Sequence, residues 1–325
     1  MLQIGKAILF LVIGFVFLIK GADFFVEGSS SVAKKLRVPS MIIGLTIVAM
    51  GTSLPECAVS VTASITNNNS LAISNAVGSN IFNLMVVCGV CAVFTPLTVT
   101  ASTMKKEFPF SVICALLLLA FGFLGMTLGH IDGVILLVFF AGFLFWMIKS
   151  AQKARAINPE AELDDEIVVD EADDIKILPV WRCIIYIIGG AIAIAIGGDL
   201  VVDGASVVAA ALGLSQTLIG LTVVALGTSL PELVTSIVAA KKDEVDMALG
   251  NVIGSNIFNI LFVLGIAAAI SPVEFITENI IDIVILVAMS ILVWLFAWSK
   301  KKIVRWEGVT MIAIYVAYVV YICIR

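Results

Sequence analysis

Apolar residues along this chain come in long unbroken runs, neither alternating along a strand nor confined to one helical face. Such runs lie near 4–33, 40–66, 71–98, 107–128, 131–149, 180–211, 215–240, 245–271, 277–299 and 304–324. A helix needs roughly 20 apolar residues to cross the hydrocarbon core of a bilayer, so the pattern predicts ten transmembrane helices. A closed barrel would show strands of alternating polarity instead. The expected fold class is therefore an all-α integral membrane protein. The first run has no small-residue cleavage site, so it is expected to be retained rather than removed as a signal peptide.

Two of the runs are interrupted in the same way. GTSLPE occupies Gly51 to Glu56 and recurs unchanged from Gly227 to Glu232. Gly51 and Gly227 are 176 positions apart, and so are Gly78 and Gly254. At that offset residues 21–83 align with 197–259 without a gap, and roughly half of the positions are identical. GLTIVAMGTSLPE matches GLTVVALGTSLPE, and AVGSNIFN matches VIGSNIFN. The identities include Pro, Glu, Asn, Thr and Ser, which shared hydrophobicity does not explain. The expected organisation is a first five-helix half at 1–149, with repeat core 21–98, an acidic linker at 150–178, and a second half at 179–325, with repeat core 197–271. Five is odd, so the second half enters the membrane from the opposite side. The ten helices then form two inverted five-helix repeats. Transport proteins built this way hold their substrate near the midplane and alternate access by exchanging the conformations of the halves.

The repeated motif has a defined chemistry. Pro55 and Pro231 lack an N–H and clash with the carbonyls of Gly51 and Gly227, so a kink is expected there, with loosened carbonyls near Ala49 to Thr52 and Ala225 to Thr228. Irregular backbone at membrane depth is tolerated only where it lines protein or a wet cavity. Thr52 and Glu56 are four residues apart and would share a helix face, with Ser53 beside it; Thr228, Ser229 and Glu232 repeat this. In the following span Ser79 and Asn83 share a face, as do Ser255 and Asn259. An acid at the bilayer centre costs at least ~2.5 kcal/mol, so each glutamate needs a partner. No Lys or Arg is placed symmetrically to serve both. The expected partner is a cation from outside, bound by hard oxygen from Glu56 and Glu232 together with hydroxyl side chains, the Asn83 and Asn259 amides and the loosened carbonyls. That donor set suits Ca2+, and Na+ of similar radius competes for it; soft transition metals would want His or Cys. The bland alternative, small residues serving only close helix packing, accounts for Gly, Ser and Thr but not for matched glutamates and asparagines.

Composition agrees. Of the 325 residues 61% are apolar and 13% charged, and the mean hydropathy of +1.15 is too high for one buried core. The net charge of −5 comes mostly from acids between Glu160 and Asp174. This acidic stretch lacks the Asp-x-Asp-x-Asp-Gly spacing of a calcium-binding loop and reads as a solvated tether. Alternate loops, taken as one side, hold Lys34, Lys35, Arg37; Lys105, Lys106; Lys149, Lys153, Arg155, Lys176, Arg182; Lys241, Lys242; and Lys300, Lys301, Lys302, Arg305, which is sixteen of the 19 basic residues. The positive-inside rule then places 150–178 in the cytoplasm and both termini outside. Cys88 and Cys91 have the spacing of a redox or metal pair, but no second pair completes a site, so they read as helix-packing residues. Asp23 with Glu27, matched by Asp199 with Asp203, would form either a cation-attracting vestibule or helix ends near the head groups.

With GTSLPE and GSNIFN each present twice, the chain resembles the calcium/cation antiporter superfamily in its sodium/calcium exchanger branch. The resemblance is strong over the repeats and general over the ten-span layout. It implies a plasma-membrane antiporter that exchanges Ca2+ for Na+, no cofactor, no enzymatic activity, the bilayer and the two ions as its partners, no nucleic acid, and function as a single chain. It carries the family's ion ligands to Ala49 (carbonyl), Thr52, Ser53, Glu56, Ser79 and Asn83, and to Ala225, Thr228, Ser229, Glu232, Ser255 and Asn259. The start Gly-Thr at Gly51-Thr52 and Gly227-Thr228, where proton-coupled relatives have Gly-Asn, favours sodium; a proton-coupled or potassium-dependent calcium antiporter is the alternative. At Asn259 the chain departs from many sodium-coupled members, which have Asp. The resemblance also implies that the long, glycine-rich spans 1 and 6 slide as the gate. Rival classes fit less well. A membrane aspartyl protease wants two acids close together deep in the bilayer, and a channel commonly builds its ligand ring around a multimer axis.

Overall fold

The computed structural model describes residues 2–66, 69–157, 178–213 and 225–324. These are almost wholly helical: α1 (Leu2–Leu36), α2 (Ser40–Thr52), α3 (Leu54–Ile65), α4 (Ser70–Phe94), α5 (Ala101–Gly125), α6 (His130–Ile157), α7 (Val180–Ala211), α8 (Leu230–Lys241), α9 (Val245–Ile270), α10 (Thr277–Lys300) and α11 (Arg305–Ile324). Eight of them are long and apolar enough to cross a membrane, and the bent pair α2 and α3 makes a ninth. The chain is a multi-pass, all-helical membrane protein. The seventh expected span, 215–240, lies partly outside the described residues. The acidic tether is outside them from 158 to 177, although α6 continues through Ser150 to Ile157.

Helix α1 ends by identifiable chemistry. Arg37 adopts the left-handed conformation at φ 55°, Val38 N–H returns to the Ala33 carbonyl at 3.0 Å, and Pro39 prevents continuation. Met126 (φ 51°) and Lys301 (φ 54°) close α5 and α10 in the same conformation.

Two compact units emerge, Met1–Thr52 with Phe145–Asn251, and Ser53–Leu144 with Val252–Arg325, so each draws on both halves of the sequence. In the first, α1 lies antiparallel on α7. Small residues meet rung by rung: Ala7 opposite Gly204, Gly14 opposite Gly197, Gly21 opposite Gly190 and Gly28 opposite Cys183. A Cβ on Gly197 would stand 2.8 Å from the Gly14 carbonyl, and one on Gly190 would stand 2.8 Å from the Gly21 carbonyl. Lipid tails are as apolar as side chains, so helices in a bilayer gain by close backbone approach rather than by escape from water. The rungs obey the sequence offset: advancing Gly14 by 176 gives Gly190, and Gly197 descends to Gly21. A second antiparallel crossing in this unit sets Gly44 on Met247, where a Cβ would come within 2.6 Å of the carbonyl.

In the second unit, Gly89 of α4 and Gly308 of α11 approach equally closely, as do Gly133 of α6 and Gly265 of α9. Two short antiparallel pairs, not expected from the apolar runs, tie its connections. Strand β1 (Leu97–Thr98) pairs with β4 (Lys302–Ile303), and β2 (Thr127–Leu128) pairs with β3 (Val273–Glu274). Each joins loops of like parity in the expected span order. Beyond residue 98 the repeat continues with one residue fewer: Asp132 Oδ2 accepts from Gly129 N–H, and Glu307 Oε2 accepts from Val304 N–H, both at 2.8 Å.

Placing valine at Gly197 is expected to force α1 and α7 apart, costing about 1–3 kcal/mol as an overpacked contact. Thermal unfolding of the purified protein in detergent should show Tm lowered by several degrees. Gly189→Val, where a Cβ has nothing within 4 Å, should leave Tm nearly unchanged; equal Tm values for the two variants would refute the glycine ladder.

Candidate functional site

Both copies of the motif break at the serine two residues before the proline, instead of kinking within one helix. In the first copy α2 stops at Thr52, Ser53 leaves the helical range (φ −86°, ψ 12°), and α3 starts at Leu54 with a 50° bend. In the second a single turn at Ala225–Gly227 is followed by Thr228 and Ser229 (φ −96°, ψ 5°), and α8 starts at Leu230. The prolines therefore sit in a first helical turn, where the missing N–H is one the helix leaves unbonded anyway. Thr52 and Glu56 do not share a face of one continuous helix, because the break intervenes.

This placement changes the electrostatics. Glu56 and Glu232 are the acids of the first turns of α3 and α8, and both are 0% exposed. Amide dipoles at a helix start favour a negative charge by about 0.3–1 kcal/mol, and up to ~2 in partly buried geometry. Burial at membrane depth costs more, so the helix start offsets only part of it. The spacing of Pro and Glu after a Ser, typical of a helix start, was a signal for this in the sequence.

The unit Ser53–Leu144 with Val252–Arg325 contains six of the twelve expected ligands. Ser53, Glu56, Ser79, Asn83, Ser255 and Asn259 are all buried. Asn83 and Asn259 each open a widened π-helical turn, Asn83–Val87 and Asn259–Val263, in which Cys88 N–H reaches the Asn83 carbonyl and Leu264 N–H the Asn259 carbonyl. Such turns loosen the regular ladder and recur at functional places. The unit Met1–Thr52 with Phe145–Asn251 contains the other six. Of these Thr52, Ser229 and Ala49 are buried, as is Glu232, and Thr228 is half-buried. The Ala49 carbonyl accepts from the Thr52 hydroxyl at 3.3 Å; Ala225 opens the turn before the second break.

Asparagines that the motif analysis passed over brace these elements. Asn75 Nδ2 donates to the Glu56 carbonyl at 3.1 Å and to Ser60 Oγ at 2.9 Å. Asn251 Nδ2 does the same for the Glu232 carbonyl at 3.4 Å and Ser236 Oγ at 2.9 Å. Its Oδ1 takes the Thr52 hydroxyl at 3.0 Å. Asn80 and Asn256 donate to each other's backbone carbonyl, both at 3.2 Å. Such reciprocity is what a two-fold relation produces. Each pair is separated by 176 positions, so the offset alone would have found them.

Other polar groups fall elsewhere. Asp199 and Asp203 are exposed, and Asp23 is held by Lys242, whose Nζ lies 3.5 Å from Oδ1 and 3.0 Å from the Asp23 carbonyl. Cys88 and Cys91 are buried free thiols, and Cys57 is half-buried beside Glu56. Among the described residues no three His, Cys, Asp or Glu side chains gather to hold a metal.

A family model described as sodium/calcium exchanger protein matches residues 6–149 and 183–324. The chain is 33% identical over 341 residues to the sodium/calcium exchanger MaX1 of Methanosarcina acetivorans, covering 96% of this chain and 97% of that one. It is 35% identical over 265 residues to the inner membrane protein YrbG of Escherichia coli, covering 81% and 80%. Among solved structures, the sodium-calcium exchanger NCX_Mj soaked with Na+ and Sr2+ superposes with a TM-score of 0.83 at 34% identity, over 98% of this chain and 99% of that one.

Replacing Asn251 by alanine should leave the Glu232 carbonyl and Ser236 without their amide donor. The expected cost is about 1–3 kcal/mol, the penalty of a buried polar group losing its partner. Denaturation of the detergent-solubilised variant measures it, and a variant as stable as wild type would contradict the bracing role.

Proposed function

Because the chain belongs to the sodium/calcium exchanger family, we propose that it is a secondary antiporter exchanging Ca2+ for Na+ across the cell membrane by alternating access. The carrying observation is the twice-occurring GTSLPE and GSNIFN, whose glutamates and asparagines are all fully buried at helix breaks and widened turns. Ala49, Thr52, Ser53, Glu56, Ser79 and Asn83, with Ala225, Thr228, Ser229, Glu232, Ser255 and Asn259, are the proposed ligands of the transported ions.

The chemistry follows from charge. Two carboxylates balance one Ca2+, and six to eight oxygen ligands satisfy it. Na+ ions occupy overlapping positions, so the two substrates exclude each other. Closing an empty pair of carboxylates away from water leaves both charges unmatched, whereas a loaded pair is neutral. Switching therefore takes place only with ions bound, and flux of one ion requires counterflux of the other. No cofactor takes part and no covalent chemistry is involved.

The proposed architecture is ten spans in two inverted halves, 1–149 and 179–325, joined by the acidic segment 150–178. Its support is the antiparallel α1–α7 ladder, the reciprocal Asn80–Asn256 pair and the strand pairs that join loops of like parity. The basic loops favour a cytoplasmic 150–178 and outward termini. The α1–α7 pair, locked by its own backbone contacts, is proposed to move as one body during access exchange, and one chain suffices for function.

Reconstituted vesicles loaded with Na+ test the reading. At clamped pH, an outward Na+ gradient should drive Ca2+ uptake, and Glu56→Gln or Glu232→Gln should lower it at least a hundredfold. Uptake that follows a proton gradient instead identifies a proton-coupled antiporter, and a requirement for K+ a potassium-dependent one. Ca2+ passage with Na+ absent from both sides identifies a channel and rejects the exchanger.

A further inference from the structure

Of the two asparagines proposed as ligands, Asn259 has its amide orientation dictated by the protein, and the dictation starts at a backbone carbonyl. Building on the ligand assignment above, we propose that Asn80 is a positioning residue for transport: it fixes the side-chain amide of Asn259 with the oxygen left over for the cation.

A carbonyl oxygen can only accept. The Asn256 carbonyl lies 3.2 Å from the Asn80 side chain, so the atom facing it must be Nδ2. The other end of the Asn80 amide is then an oxygen, which can only accept in turn. It lies 3.2 Å from the Asn259 side chain, and the Asn259 atom presented to it must be Nδ2. The remaining atom of Asn259 is Oδ1, wholly buried and meeting no donor among the described residues. An amide turned the other way has nearly the same shape but directs two N–H groups where the oxygen was. Towards a cation that is the difference between a ligand and a repulsion, so a side chain that fixes the turn contributes to binding without touching the ion.

The counterpart position lacks this guide. Asn256 donates its own Nδ2 to the Asn80 carbonyl at 3.2 Å, which makes its Oδ1 an acceptor too. No hydrogen bond reaches that Oδ1, and both Nδ2 and Oδ1 of Asn83 meet no partner among the described residues. The backbone clasp is thus two-fold while the amide relay runs on one side only. If Asn80 and Asn256 merely pinned α4 to α9, the two would matter equally; the relay makes Asn80 matter more.

The experiment measures Na+-driven uptake of radioactive Ca2+ by the full-length protein in vesicles, at varied Ca2+, for Asn80→Ala, Asn256→Ala, Asn259→Ala and the double variant Asn80→Ala with Asn259→Ala. Asn80→Ala should raise the Ca2+ KM roughly tenfold, with kcat within about twofold, the size expected for one mis-set polar contact. Asn256→Ala should raise KM by less than about threefold, and the double variant should be no worse than Asn259→Ala alone. Equal shifts at Asn80 and Asn256, or losses that multiply in the double variant, would overturn the relay and leave a packing role. Should Asn80→Ala fail to fold, Asn80→Ser, polar but too short to reach Asn259, is scored the same way. Glu56→Gln run alongside separates the two claims: with that variant inactive, an unchanged KM in Asn80→Ala refutes the relay alone, and near-normal uptake by Glu56→Gln refutes the carboxylate assignment beneath it.

Discussion

Charge burial governs this molecule. A carboxylate inside a lipid-facing helical protein is stable only where something replaces the water it has lost. Here the replacement is layered. Each helix is broken one residue after a threonine, so that its glutamate lies in a first turn, where the helix dipole favours a negative charge. An asparagine from a neighbouring helix then holds that glutamate's carbonyl and a serine one turn on. Hydroxyls and amides around the breaks are neutral and, apart from half-buried Thr228, buried.

Neutral polar groups also need backbone close at hand, and glycine supplies the room. On α1 and α7 the small residues recur every seventh position, from Ala7 to Gly28 and from Cys183 to Gly204, so the backbones meet closely once every two turns. Helices this close gain dispersion contacts and lose few rotamers, which is how a protein in lipid obtains stability without a hydrophobic effect between its parts. In the other unit α4 and α9 cross at Asn80 and Asn256. There two amides, rather than two glycines, satisfy carbonyls just before the widened turns.

Much of this was legible in the sequence. The membrane class, the repeat, the paired motif and the family follow from apolar runs and from identities at a fixed offset. The break was expected as well, but its position was not. A proline amid apolar residues reads as a kink in one helix, whereas Ser53-Leu-Pro-Glu is the start of a new one, a pattern the surrounding hydrophobicity masks. The widened turns at Asn83 and Asn259 have no local signature, since Asn-Ile/Leu-x-x-Val is compatible with an ordinary helix. Asn75 and Asn251 matched across the offset but carry no charge, so attention to acids passed over them. The short strands were invisible because two residues make no periodicity. Parts of span seven (215–240) and of the acidic tether (150–178), at 215–224 and 158–177, fall outside the described residues.

The antiparallel pairing has a consequence for how the chain is made. The close glycine contacts made to the backbone of another helix join the first half to the second: α1 to α7, α2 to α9, α4 to α11, α6 to α9. A ribosome delivers α1 well over a hundred residues before α7 exists, so the glycine positions of α1 must wait in the bilayer against lipid or a temporary companion. The same holds for β1 until β4 emerges near the end of synthesis. Neither half can complete its packing alone, and assembly is a late event in which the second set of helices threads itself against the first.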